Sequence, residues 1–221
     1  MKLTPTDMLA VRKGDANYIL GKGSNCYMNE DFKNAVDYYH LASSMGSVQA
    51  TCNLGYCYLY GREVEQNTDL AISYFELAAD EENIEASYKL GDIYSNDKWG
   101  LKDSEMSLYY YRMAASYMIG EDWGEKYTIA YTDKLQEFPS LCFALGREHM
   151  PSGNLRTDVA VAYQFLKHAE KGYINEIRNG ADFYQKAYMG VIERLEDEIF
   201  DDIRAEYDPL FEEENDYFEY V

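Results

Sequence analysis

An all-α array of stacked helix pairs is the fold class that this chain of 221 residues predicts, and three observations carry it. The dipeptide Leu-Gly recurs at Leu20-Gly21, Leu54-Gly55, Leu90-Gly91 and Leu145-Gly146, in steps of 34, 36 and 55 residues. A second landmark follows each, in residues 34–43, 70–79, 106–115 and 161–170. Its alanines, Ala42, Ala78, Ala114 and Ala169, step by 36, 36 and 55. Both landmarks lengthen together in the last step, so one insertion of about 19 residues lies between Ala115 and Leu145. Third, apolar and small residues recur at helical spacing in both halves of each unit, and no segment alternates with period two.

Within the second unit Ala50, Leu54, Cys57 and Tyr58 share one face of a first helix, A. A second helix, B, begins after Asn67, whose counterparts are Asp31, Asp103 and Asp158. Each of these side chains is short and carries an oxygen that can accept the unpaired amides of a first helical turn. The glycines of the Leu-Gly column lower helix propensity, so close approach of a neighbouring helix explains them best. In the 116–138 region Tyr127, Ala130, Tyr131, Lys134, Leu135 and Phe138 fall on one stripe before Pro139, which predicts an added helix. From residue 173 to 205, Ile177, Ala181, Tyr184, Tyr188, Val191, Leu195 and Ile199 form another stripe, which predicts one long C-terminal capping helix over the last unit. Residues 206–221 form an acidic tail.

Residues 50–71 carry Ala50, Leu54, Gly55, Tyr58, Gly61, Val64 and Ala71 at spacings that resemble the Sel-one-like repeat, a relative of the tetratricopeptide repeat. Glu63 stands where the family pattern has a Gly, and Asn67 where it has an Asp. The stretches at 46–55 and 14–21 look like the family's junctions between units, which leaves residues 1–13 as an N-terminal capping helix. The resemblance covers residues 14–172. In the first unit the loop from Gly21 to Asp31 is two residues short, and in the third Trp99 and Gly100 replace a Gly-Val pair. The resemblance implies a right-handed α-α superhelix, a solenoid of about four helix pairs whose A helices line the concave side. It also implies a protein-interaction scaffold without catalysis of its own.

Forty Asp and Glu against twenty Lys and Arg give a formal charge of -20. Such a surface repels phosphate backbones and anionic headgroups, so neither nucleic acid nor membrane is expected as a partner. Residues 193–221 alone hold thirteen acids against Arg194 and Arg204. The first residues form no apolar run long enough for a secretory signal, and no segment approaches the roughly 18 apolar residues of a membrane span. A soluble, cytoplasmic protein is the expectation. Cys26, Cys52, Cys57 and Cys142 show no metal-type pairing and read as reduced thiols.

The three histidines suggest no chemistry. His40 aligns with Glu76, Arg112 and Lys167 at an exposed position, His168 aligns with Leu41, Leu77 and Met113 in the core, and His149 aligns with Tyr58 and Tyr94 at a packing position. No convergent ligand spacing, phosphate loop or catalytic triad is present, so the chain reads as non-enzymatic, with no cofactor and no metal.

Tyrosine is the telling residue, at 23 of 221. Tyr38, Tyr74 and Tyr110, with Phe165, occupy aligned helix-B columns, where packing between helices accounts for them. Gln49, Asn53, Tyr56 and Tyr60 instead share a helix-A face rotated away from Ala50, Leu54 and Tyr58. Their equivalents are Glu85, Lys89, Asp92 and Asn96 in the third unit and Ser140, Ala144, Arg147 and Pro151 in the fourth. Tyr beside adaptable polar groups is a composition that binding surfaces favour. Gln49, Asn53, Tyr56, Tyr60, Glu85, Lys89, Asp92, Asn96 and Arg147 are therefore the expected protein-binding residues. Glu85 and Lys89 could equally form no more than an ion pair within one helix.

The sequence thus predicts a scaffold or adaptor that takes a protein or peptide on its concave helix-A surface. An acidic mimic or inhibitor, acting through the tail on a basic partner, is the alternative, and a hydrolase built on the repeat ranks below it. Pairing with its own copy into a homodimer is also open to the chain.

Overall fold

A computed structural model describes residues 1–120, 132–150 and 158–212, and among them the secondary structure is helical throughout. The chain divides into two compact units, Met1–Tyr117 and Met118–Val221.

In the first unit α1 (Pro5–Lys13), α2 (Ala16–Met28), α3 (Phe32–Ser44), α4 (Val48–Tyr60), α5 (Thr68–Ala79) and α6 (Ile84–Ser95) pack in chain order, and α7 begins at Ser104. Each helix is started by a short polar side chain. Asp31, Asn67 and Asp103 accept from backbone amides of the first turns of α3, α5 and α7, as Ser47 and Asn83 do for α4 and α6. Several helices end in one recurring turn. A residue at positive φ (Gly14, Glu30, Gly46 or Glu82) is followed by an amide that bonds back to the carbonyl of Ala10, Cys26, Ala42 or Ala78. Glycine suits that conformation. Glu30 (φ 60°) and Glu82 (φ 61°) adopt it at a cost.

The landmark glycines are contact points. A Cβ placed on Gly55 would lie 2.7 Å from the Phe75 ring, and one on Gly91 would lie 2.5 Å from Tyr111. In the first helix pair the role falls to Gly23, which faces Tyr39 at 2.7 Å, whereas Gly21 has nothing within 4 Å. The expectation for Gly21 is thus corrected by two residues. Its physical reason is the short connection, because α3 starts only four residues after α2 ends and its packing register against α2 shifts.

Aromatic pairs repeat with the helices. Tyr58 stacks on Tyr74 with ring centroids 5.4 Å apart, and Tyr94 stacks on Tyr110 at 5.8 Å. In each case the first ring's residue also accepts, through its carbonyl, the amide of the next helix cap, Asn67 or Asp103. In the second unit His149 stacks on Phe165 at 5.9 Å, and its carbonyl accepts from Asp158. The helix pair α9 (Pro139–His149) and α10 (Val159–Arg178) thereby follows the same plan, with Gly146 against Leu166 at 3.0 Å.

A buried carboxylate anchors the N-terminal end. Asp7, fully buried, completes a capping box with Thr4 and accepts from the Thr4 amide at 2.8 Å, Tyr38 at 3.1 Å and Tyr18 at 3.2 Å. The amide of Thr4 comes first among the causes that hold its carboxyl below the usual range, against the opposing pull of burial.

The C-terminal region departs from the expected single helix over 173–205. It comprises the end of α10, then α11 (Gln185–Leu195), then α12 (Asp201–Glu212), with single 3-10 turns at Asp182–Tyr184 and Glu198–Phe200. Two breaks explain this. Gly180 takes φ 94° and Ala181 bonds back to Glu176, while Asp197 leaves the helix and caps Ile199. Residues 206–212 of the expected tail lie in α12. The Tyr163 hydroxyl donates to Asp208 at 2.5 Å, and the Phe211 ring is buried against His168, with centroids 5.0 Å apart. Of the expected helix over 116–138, residues 121–131 fall outside the described residues, and the rest supply the end of α7 (Ser104–Ile119) and the short α8 (Thr132–Leu135).

Candidate protein-interaction surface

Helices α4 and α6 carry the predicted face of the first unit, and three of its residues, with the α6 cap Asn83, are joined in one network across the two repeats. Asn83 donates to the Gln49 carbonyl oxygen at 3.1 Å, and the Gln49 amide nitrogen donates to Glu85 at 2.9 Å and Asn53 at 3.2 Å. Gln49 is thus a bridge whose donor and acceptor ends are both engaged. Lys89 pairs with Asp92 at 2.8 Å, and Asp92 also accepts from Tyr111 at 2.9 Å. The ion pair considered between Glu85 and Lys89 is therefore replaced by an ion pair of Lys89 with Asp92 and a hydrogen bond from Gln49 to Glu85. Glu85 turns to the preceding repeat and Lys89 to its own i+3 neighbour.

Aromatic rings line the same face. Tyr56 and Tyr60 are stacked with centroids 6.3 Å apart, and Lys89 lies 5.6 Å from the Tyr56 ring. Past α6, Trp99 meets Tyr60 edge-on at 6.1 Å, and Lys98 lies over both rings, at 5.6 Å from Tyr60 and 4.6 Å from Trp99. Tyr60 is 43% exposed, Lys98 beside it is exposed, and so is Asn96. Tyr56 behaves differently. It is half-buried, packs edge-on against the core ring of Phe75 at 5.1 Å, and burial followed by the Glu85 charge pushes its hydroxyl far up. It belongs to the floor, and Tyr60 to the surface. Asn96 is tied to the local backbone, capping the turn at Asp97–Trp99 through Lys98 and donating to the Asp92 carbonyl.

Arg147 lies in the second unit, where the rest of its row does not form a polar face. Ala144 is buried, Ser140 is bonded to Tyr173 at 3.1 Å, and Pro151 falls outside the described residues. Lys98 and Trp99 were not among the predicted site residues. The one trace in the sequence is Trp99, which with Gly100 replaces the Gly-Val pair in that loop.

His40 is exposed, whereas His149 and His168 are buried beside aromatic rings. Among the described residues no group of His, Cys, Asp and Glu could hold a metal, and no helix is long and apolar enough to cross a membrane. All four cysteines are free thiols, and burial pushes Cys57 up to about 11.

Helix pairs stacked through glycine contacts, three of them closed by a stacked ring pair, define a protein built of α-helical repeats. The repeat is the Sel1 repeat, whose family model matches residues 9–47, 48–83 and 84–116, so the chain carries three Sel1 repeats over that span. Sel1 repeats generally mediate protein–protein interaction, and the scaffold is typically non-catalytic. Among solved structures the chain is similar to a Sel1 repeat protein from Oxalobacter formigenes, at 24% identity over 72% of this chain and 96% of that one, with a TM-score of 0.44. No curated protein matches it.

Proposed function

We propose that this protein is a non-enzymatic scaffold whose first unit takes a protein or peptide partner on the helix-A surface of α4 and α6. The observation that carries this reading is the exposed ring of Tyr60, set beside Lys98 and Trp99 at the edge of a floor made rigid by the Gln49, Glu85, Lys89 and Asp92 bonds. A rigid aromatic ring gives contact area at small entropic cost, and a floor whose polar groups are already bonded needs little reordering on binding. The resident lysines and carboxylates balance one another there, so attraction by net charge alone is not what the surface offers.

The test places a photo-crosslinking residue at Tyr60 and, as a control, at exposed Leu77, in the native host. A partner captured from position 60, not from 77, and lost on Lys98→Ala supports the surface. Equal capture at both positions sinks it. The alternative, in which residues 193–221 engage a basic partner, is separated by salt, since binding through exposed charges weakens steeply between 50 and 500 mM salt while aromatic contact does not.

A further inference from the structure

We propose that Arg147 and Arg194, gathered on the ring of Phe143 in the second unit, form a receptor for a carboxylate presented by a protein partner. The two arginines come from different helices, α9 and α11, yet their guanidinium carbons lie 5.3 Å and 5.0 Å from the centre of the same ring. Arg194 is held in place by a hydrogen bond from Nη1 to the Gly190 carbonyl at 2.9 Å. Among the described residues no carboxylate lies within ion-pair distance of either group, although acids outnumber bases forty to twenty. The Nε of Arg147 is buried without a hydrogen-bond partner.

Two cations sharing one ring repel each other. Burial first, and then the charge of Arg147, lower the pKa of Arg194, while Glu193 opposes them only in part. Folding therefore holds these charges together against their repulsion, and an anion seated between or beside them would relieve it. A planar carboxylate matches the paired donors of a guanidinium, and the half-buried Phe143 ring offers an apolar wall for the stem that carries it. Glu193 beside the pair and the large acidic excess of the chain favour a singly charged ligand over phosphate. This receptor is independent of the surface on α4 and α6, so either proposal can fail without the other.

The experiment titrates the full chain, labelled with 15N-arginine, with N-acetylalanine, N-acetylglutamic α-amide, inorganic phosphate and chloride at one ionic strength. The Nε–Hε signals of Arg147 and Arg194 are read. Saturable shifts of both signals with at least one carboxylate, weakened about tenfold by Arg194→Ala, are the expected result. Which of the two carboxylates binds tighter distinguishes a chain terminus from an acidic side chain. Shifts that follow chloride alone, or tighter binding of phosphate, overturn the assignment. Should Arg194→Ala unfold, Arg147→Lys keeps the charge but loses the planar fork and should lose the preference for carboxylate over chloride.

Discussion

Removing the Asp7 carboxylate tests the packing logic of the first unit most directly. Asp7 accepts three hydrogen bonds, from the Thr4 amide and the hydroxyls of Tyr18 and Tyr38, and is fully buried. Hydrogen bonds to an ionised acceptor contribute about 1.5–3 kcal/mol each, and they share one group, so they do not add in full. Asp7→Ala also breaks the α1 capping box and leaves the buried Tyr38 hydroxyl without its acceptor, for a total of about 3–5 kcal/mol. Asp7→Asn is milder. Its oxygen can still accept from Thr4 and Tyr38, and the Tyr18 hydroxyl can rotate to accept from the new amide, which leaves a cost of about 1–2 kcal/mol. The carboxylate's pKa is lowered in the fold, so its stabilisation is fully present above the unfolded value near 3.8 and is lost as pH falls through the folded one. The gap between the native chain and Asp7→Asn should therefore be constant from neutral pH to about pH 5 and close below pH 4. Hydrogen exchange of α1 and α2 amides is the assay, alongside a thermal melt, because a terminal helix pair can open without the rest of an array. A loss under about 1 kcal/mol for Asp7→Ala, or a gap that does not change with pH, would refute the reasoning.

Other consequences are checked more simply. Gly91→Ala forces a methyl against Tyr111, whose hydroxyl is fixed on Asp92, and should cost about 1–3 kcal/mol by denaturant unfolding. Gly21→Ala, with open space around it, should instead be neutral or gain up to about 1 kcal/mol in the same assay. Glu82→Gly relieves a left-handed residue and should raise stability by about 0.5–1 kcal/mol in the thermal melt. Phe211→Ala removes the buried ring that seats α12 and should cost about 2–4 kcal/mol, seen first as faster exchange and proteolysis within Asp201–Glu212.

Much of the fold was legible because it depends on local chemistry. Asp31, Asn67, Asp103 and Asp158 could be read as caps from their side chains and positions, and the structure uses all four. The stack of helix pairs followed from landmarks about 36 residues apart, since each pair must cover an apolar face that it cannot bury alone. The C-terminal stripe misled because helical periodicity survives a break when the apolar positions on both sides still face one core. Gly180 and Asp197 interrupt the chain without interrupting the pattern.

The candidate surface was legible only in outline. Four-residue steps placed Gln49, Asn53, Tyr56 and Tyr60 on one face, but nothing in the spacing distinguished the floor from the rim. That distinction depends on Phe75 and Trp99, which reach Tyr56 and Tyr60 from other segments.

The helical class, the repeat, the caps and the acidic balance are legible along the chain, because propensity, periodicity and charge act over a few residues or over composition. Packing in three dimensions sets that Gly23 and not Gly21 meets a ring, that Lys89 pairs with Asp92 while Glu85 bridges to Gln49, and that Arg147 and Arg194 share Phe143. Those outcomes depend on which side chains from distant segments compete for one space, and that competition has no period along the chain.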